Sequence, residues 1–307
     1  MRILSLLPAA TEWVATLGAV DQLVGVTHEC DHPASVRNVP RVTASAISAL
    51  FTHEMIAPDA AGIDAGVRSL AQSGAPLFTL DAARIRALQP DVIVTQALCD
   101  VCAVSETDVR ALAASIDPPP RIETLNGTTL DGIRTDLTHV AAAIHCEDEA
   151  DELLAGWDVR LGAVARTLAQ RPRPPRRVAV IEWPDPIYTA GHWVPELVAL
   201  AGGVDVGAAP GSHSVVETHD TLRAARPEVI LVAPCGYTLS QAVDCAETLR
   251  AAPAWAWAVD CAWWAIDANG LTSRPGPRVV DAVESMARML WPEDFSPLDP
   301  RHGRQLH

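Results

Sequence analysis

The sequence lacks any apolar run long enough to cross a membrane, because no window approaches the roughly 18 to 20 uninterrupted apolar residues that a spanning helix needs. The amino terminus, MRILSLLPAATEW, also lacks the pattern of an export signal, since its apolar stretch is short and is followed by Pro8 and Glu12. We therefore predict a soluble chain without membrane insertion and with a cytoplasmic location.

The chain is also poor in positive charge. It has 23 Lys and Arg against 38 Asp and Glu, and its formal net charge is -15. Binding to nucleic acid depends largely on Lys and Arg contacts with phosphates. We expect neither nucleic acid nor an anionic membrane surface as a partner.

Some motifs and patterns are missing as well. The sequence has no GxxxxGK phosphate loop and no GxSxG nucleophile elbow, which argues against nucleotide hydrolysis and serine-hydrolase chemistry. Its seven cysteines are an odd number in a chain without an export signal, so a disulfide framework is not expected. Free thiols or metal ligands are the better interpretation.

What the sequence does contain is a regular alternation of apolar, β-branched runs with helical patterns, which is typical of α/β proteins with parallel sheets. One stretch, Leu137 to Ala169, has apolar residues at helical spacing and no proline, so it predicts a single long helix. The Pro-rich RPRPPRR then ends this helix, and a second alternating region begins. We predict a lobe over 1–136, a linking helix over 137–170 and a second lobe over 171–307.

Four cysteines follow predicted buried strands: Cys30, Cys99, Cys102 and Cys235. Ligands of open α/β sheets bind at the carboxyl ends of the strands, and thiolates bind zinc or an iron–sulfur cluster. We therefore predict that these sulfurs converge on one metal or cluster. Two alternatives stay open for the CxxC pair, namely small packing residues at a helix start and a redox dithiol.

Other side chains also point to ligand chemistry. His192 lies at a Gly-led helix start and is a candidate axial ligand to cobalt or iron, with hydrogen bonding to loop backbone as the alternative. Arg274 can meet an anionic ligand group or form a structural salt bridge. The tryptophans near the end of the chain fit core packing or a stacking face for a macrocycle: Trp255, Trp257, Trp263 and Trp264.

A series of motifs in order resembles the helical-backbone (class III) substrate-binding proteins of ABC importers, in the cobalamin- and ferric-siderophore-binding branch. These motifs are SLLPAATE, VGVTHECDHP, LQPDVIVTQ, YTAGHWVPELVALAGG, RPEVILV and SRPGPRVVDAVE. The resemblance implies two Rossmann-like lobes with parallel sheets, joined by a single long backbone helix and holding a metal chelate between them. It also implies a binding protein and not an enzyme, and it places five residues near the ligand: Ala9, Glu29, Tyr188, Asp267 and Arg274.

The preferred hypothesis is thus a cytosolic binding protein for cobalamin, a related corrinoid or another small-molecule metal chelate. The absence of an export signal argues against docking on an importer. The alternative is a metalloprotein in which cysteines hold zinc or an iron–sulfur cluster, with redox or catalytic activity. A thiol oxidoreductase with His28 as base is a third class.

Overall fold

The structure, a computed structural model, describes residues 1–46, 60–73, 76–97 and 104–307. The chain divides into two compact units, each with its own set of internal contacts. Unit 1 consists of Met1–Gly127 and Asp131–Leu154, and unit 2 consists of Thr128–Leu130 and Ala155–His307.

Short strands and helices alternate along unit 1, with short 3-10 turns between some of them. In chain order its elements are β1 (Ile3–Ser5), α1 (Pro8–Thr16), β2 (Leu23–Gly25), β3 (Thr43–Ser45), α2 (Ala60–Ser73), β4 (Phe78–Leu80), α3 (Ala82–Leu88), β5 (Val92–Gln96), α4 (Glu106–Ala113), β6 (Arg121–Leu125) and α5 (Leu130–Ile144, of which Leu130 belongs to unit 2).

The central sheet of unit 1 is parallel, with the strand order β2-β1-β5-β6. Its middle strands are buried along their whole length, which explains their nearly continuous apolar sequences. Leu4 and Ile93 are paired in register and lie in one core with Ile85 and Val109 from the covering helices. Because the strands run in the same direction, the segments after Ser5, Gly25, Gln96 and Leu125 leave the sheet at one edge.

The elements of unit 2 begin with a long helix. In chain order they are α6 (Glu147–Ala169, whose first turns belong to unit 1), β7 (Arg176–Pro184), β8 (Ile187–Thr189), α7 (Val194–Leu200), β9 (Gly203–Asp205), β10 (Val215–Val216), α8 (His219–Ala225), β11 (Val229–Val232), α9 (Leu239–Ala251), β12 (Ala262–Ile266), α10 (Ala268–Leu271), α11 (Val279–Leu290) and β13 (Gly303–Leu306).

The sheet of unit 2 has the strand order β10-β8-β7-β11-β12-β13, and β9 also pairs with β7. Strands β7, β9, β11 and β12 are parallel to their neighbours in this group, whereas β8, β10 and β13 pair antiparallel. The prediction of parallel sheets therefore holds for the centre of unit 2 but not for its margins. The core on one face includes Ile181, Ile230, Trp255 and Trp263.

The predicted single helix over residues 137–170 is divided in the structure. Helix α5 ends at Ile144, His145 adopts a left-handed φ of 60°, and α6 starts at Glu147. The Cys146 N–H donates to the Ala141 carbonyl across this break, as in a left-handed helix end. The acidic residues after the break occupy the first turn of α6, where the helix dipole favours negative charge. The apolar spacing continues through the break and therefore conceals it.

The α/β fold predicted from the alternation of strands and helices is confirmed. The apolar run in the motif LQPDVIVTQ forms strand β5, and the helix expected beside His192 begins at Val194. No helix among the described residues is long and apolar enough to span a bilayer.

Candidate functional site

The carboxyl ends of β7, β11 and β12 bring a group of polar and aromatic side chains together at one edge of unit 2. Asn269 connects the segments that follow two of these strands. Its N–H donates to the Tyr237 carbonyl (2.8 Å), and its Oδ1 accepts from Nη2 of Arg274 (2.7 Å). The Gly236 N–H donates to Oγ of Ser273 (3.0 Å). The segment after β11 is thereby fixed against the segment after β12.

Aromatic rings lie in the same neighbourhood. The ring of Trp183, at the end of β7, meets the ring of Tyr237 edge to face, with 5.9 Å between centroids and 76° between planes. Tyr188 on β8 is paired directly opposite Trp183, which brings their Cβ atoms close. The indole Nε1 of Trp183 is buried and has no hydrogen-bond acceptor among the described residues.

Asp267 and Arg274, both expected near the ligand, lie at this edge. Asp267 directly follows β12 and precedes α10, and Arg274 is 7% exposed. Burial raises the pKa of Asp267, and the positive charge of Arg278, the Gly270 N–H and the charge of Arg274 partly offset this effect. A buried guanidinium beside a carboxylate of reduced acidity can receive an anionic or a hydrogen-bonding ligand group.

His192 lies in the segment that leads from β8 into α7. It has a left-handed φ of 54°, and its ring meets the ring of His213. Burial and the nearby His213 lower the pKa of His192, so the imidazole is neutral at neutral pH. His192 is a residue that the sequence pointed to, and its ring partner His213 is exposed.

Ala9 and Glu29 lie in unit 1, near the carboxyl ends of β1 and β2. Ala9 is buried in the first turn of α1. The side chain of Glu29 is about half exposed, and its Oε1 lies 3.9 Å from Nε2 of His28. Nδ1 of His28 is 2.7 Å from Oγ1 of Thr43, and burial followed by the charge of Arg41 lowers the pKa of His28.

Cys30 is in a different environment from the one predicted for a metal ligand. It is 1% exposed, and its Sγ lies 3.0 Å from Oγ1 of Thr11 and 3.1 Å from Oγ1 of Thr27. These contacts give the Cys30 thiol hydrogen-bond partners in the core of unit 1. Cys235 is exposed, and its N–H donates to the Glu182 carbonyl (3.0 Å).

The predicted ligands Cys99 and Cys102 lie outside the described residues. Among the described residues, no group of three or more His, Cys, Asp or Glu side chains is placed to hold a metal ion. The alternative of a cysteine-bound zinc ion or iron–sulfur cluster therefore has no support in the part of the chain that the structure describes.

The tryptophans near the end of the chain form part of the core. Trp255, Trp263 and Trp264 are at most 8% exposed, and Trp257 stacks on Trp255 with 5.6 Å between centroids. His219 packs against the edge of this cluster. Their packing role was the preferred interpretation, and Trp183 and Tyr237 instead supply rings at the carboxyl edge. Trp183 lies near the end of β7 and Tyr237 follows β11, so the sequence signal for both was a position near the end of a strand, as it was for Cys235.

Two α/β units, each with parallel central strands and with polar side chains beyond their carboxyl ends, form the arrangement in which open α/β sheets bind ligands. A family model described as Periplasmic binding protein matches residues 3–257. The chain therefore belongs to the periplasmic binding protein family, which confirms the resemblance to substrate-binding proteins.

Several solved structures share the fold. A periplasmic heme binding protein from Pseudomonas aeruginosa has 18% identity, 100% coverage of this chain, 98% coverage of its own chain and a TM-score of 0.71. An ABC transporter substrate-binding protein from Listeria monocytogenes EGD-e has 19% identity, with 95% coverage of this chain, 98% coverage of its own chain and a TM-score of 0.67. A periplasmic vitamin B12 binding protein of Vibrio cholerae has 22% identity, with 94% coverage of this chain, 96% coverage of its own chain and a TM-score of 0.58. A comparison with curated proteins finds no match.

The prediction of a cytoplasmic location is wrong. The family to which the chain belongs is that of periplasmic binding proteins, and the similar heme- and vitamin B12-binding structures are of periplasmic proteins. The sequence argument failed because it inferred location from the pattern of the first residues alone.

Proposed function

We propose that this protein binds a corrinoid, or a related planar metal chelate such as heme, and that the carboxyl edge of unit 2 supplies much of the binding surface. The observation that carries the proposal is the arrangement of Trp183, Tyr188 and Tyr237 beside the Arg274–Asn269 pair. Large planar ligands are held by aromatic surfaces, and a few placed polar groups fix their orientation.

Each of these residues has a separate role in the proposal. The rings of Trp183 and Tyr237 contact the macrocycle, and Nε1 of Trp183 donates to an oxygen on its periphery. A buried donor without an acceptor costs roughly 1–3 kcal/mol, so a ligand oxygen at this position contributes to affinity. Arg274 and Asp267 meet the peripheral carboxylate or amide groups.

In unit 1, we propose that Glu29 and the backbone around Ala9 contact a ligand. The assignment rests on their positions beyond the carboxyl ends of β2 and β1, where ligands of α/β sheets bind. Glu29 has an exposed carboxylate that can accept from an amide of a corrinoid side chain.

The test is a binding titration with cyanocobalamin and, separately, with hemin, followed by ligand absorbance. Trp183→Leu and Tyr237→Leu remove a ring and keep an apolar side chain, so each should raise the Kd by about 3- to 10-fold, the size of an aromatic contact. The matched control is Trp257→Leu, which removes a ring that precedes β12, at the other end of that strand. Binding that is unchanged in both edge variants, or lost equally in the control, would contradict the proposal.

Arg274→Gln separates the two ligand classes. Heme carries carboxylates, whereas the corrin side chains of cobalamin are neutral amides, so the loss of a positive charge should weaken hemin binding much more than cyanocobalamin binding. Equal weakening of both, with an unchanged melting temperature, would show that Arg274 does not meet a carboxylate.

The similar substrate-binding protein of an ABC transporter supports the further proposal that the ligand is passed to an ABC importer.

A further inference from the structure

Two segments of unit 2, one directly after β8 and the other before β10, are connected by backbone hydrogen bonds. The His192 N–H donates to the Ser212 carbonyl (2.5 Å), and the Gly211 N–H donates to the His192 carbonyl (2.8 Å). The hydroxyl of Ser214 donates to the Glu182 carboxylate. These bonds hold the segment before α7 against the segment before β10.

The approach of the two segments depends on a glycine. A Cβ on Gly191 would lie 2.5 Å from the carbonyl carbon of His213 and 2.6 Å from the Ser212 oxygen, which no side chain tolerates. The next residue, His192, has a left-handed φ of 54°. The close backbone approach thus brings the Cα atoms of His192 and His213 near each other.

The two rings are arranged as a pair. The rings of His192 and His213 lie 5.2 Å apart between centroids and are perpendicular. Nε2 of His192 is buried without a hydrogen-bond partner among the described residues, while His213 is exposed to solvent. Neutral imidazole nitrogens are common metal ligands, with metal–nitrogen distances of about 2.0–2.1 Å, and two rings on one ion are separated by a few ångströms.

We propose that His192 and His213 bind one divalent transition-metal ion of the borderline class, such as Ni²⁺, Co²⁺ or Zn²⁺, with water at the remaining positions. Imidazole selects these ions over Mg²⁺ and Ca²⁺, which prefer oxygen ligands. The site is a separate function from the binding of a chelate, because it takes the free aqueous ion and uses no residue of the proposed chelate surface. In this proposal His192 binds a free metal ion, whereas the sequence predicted that it binds the cobalt or iron of a chelate as an axial ligand.

The experiment is a calorimetric titration of the full chain with Ni²⁺ alone, without any chelate. His192→Asn and His213→Asn remove one imidazole each, and asparagine tolerates a left-handed φ at position 192. We expect one Ni²⁺ per chain in the wild type and at least tenfold weaker binding in each variant. The matched control is His139→Asn, which removes an exposed histidine in unit 1 and should bind Ni²⁺ as the wild type does.

A second readout identifies the ligands. With Co²⁺, the visible spectrum should show nitrogen and oxygen ligation, and the thiolate charge-transfer band should be absent. A thiolate band that persists in both histidine variants would assign the ion to cysteine and overturn the proposal. Equal Ni²⁺ affinity in the wild type, His192→Asn and His213→Asn would overturn it as well.

Discussion

Asp205 is a buried carboxyl group whose burial affects the pH dependence of the protein's stability. It ends β9, and its Oδ1 accepts from the Gly207 N–H (2.7 Å), while Oδ2 is buried without a partner among the described residues. Burial raises the pKa of Asp205 to about 7, and the bond from Gly207 only partly opposes this effect. The folded protein therefore holds a proton there that the unfolded chain releases at lower pH.

This difference predicts a pH-dependent stability. Between about pH 4 and 7 the unfolded chain loses the proton and the folded chain keeps it, so the free energy of unfolding should decrease as pH rises and then level off above 7. Asp205→Asn should remove this decrease and be the more stable protein at pH 8. Urea denaturation at pH 5 and pH 8 measures both slopes, and parallel slopes in the two proteins would contradict the prediction.

Residue-level prediction from the sequence depended on two different rules. The family resemblance pointed to Asp267 and Arg274, which lie together at the edge of unit 2, and their contact with a ligand stays a prediction. Cys30 was selected because it follows a predicted strand, yet Thr11 and Thr27 make it a buried, hydrogen-bonded thiol. Those partners are distant or unremarkable in sequence, so tertiary packing alone reveals them.

At the scale of elements, side-chain hydrogen bonds at the first turn of a helix fix the residue at which the helix begins, as at α8. Helix α8 starts with a reciprocal pair of hydrogen bonds: the Thr221 N–H donates to Oγ1 of Thr218 (3.2 Å), and the Thr218 N–H donates to Oγ1 of Thr221 (3.0 Å). The helix is short and contributes Leu222 to the core of unit 2. Its stability therefore depends on its first turn.

Thr218→Ala should lower the free energy of unfolding by about 1 kcal/mol, because the Thr221 N–H in the first turn of α8 loses its acceptor, Oγ1 of Thr218. Thr248→Ala is the matched control, since this exposed hydroxyl in α9 bonds the Asp244 carbonyl, which already belongs to a helix interior. Chemical denaturation of both variants measures the difference. An effect of Thr218→Ala no larger than that of Thr248→Ala would show that the cap is not needed.

Elements with a strong periodic signal were predictable, and short ones were not. The strand Val92–Gln96 is buried on both faces, so it reads as a continuous β-branched run. Strand β10 has only Val215 and Val216, both exposed, and it exists because β8 offers a free edge. The break at His145 was missed for a similar reason, since one residue with a left-handed φ does not disturb the apolar spacing around it.

At the scale of the whole molecule, each unit has a hydrophobic core of its own among the described residues. Ile93 lies in the core of unit 1 and Ile230 in the core of unit 2, and both are fully buried at the centre of a sheet. The alternation of strands and helices on both sides of RPRPPRR predicted this duplication. The sequence cannot provide the pairing order of the strands, because pairing depends on contacts between distant segments.

Ile93→Ala and Ile230→Ala are therefore a matched pair of substitutions. Each should cost about 2–5 kcal/mol from lost burial and the cavity left behind. Hydrogen exchange followed by mass spectrometry should show faster exchange in the unit that carries the substitution. Equal loss of protection over both units in each variant would show that the two cores unfold together.

The division into units also governs what a spectroscopist would see. Trp13 in α1 is the only tryptophan of unit 1, and the other eight of the nine fall in unit 2. Indole emission recorded during denaturation is thus almost entirely a signal from the carboxyl-terminal part of the chain. A single smooth fluorescence transition would say little about the amino-terminal part, for which Trp13 becomes a probe only in a variant whose other tryptophans are replaced by phenylalanine.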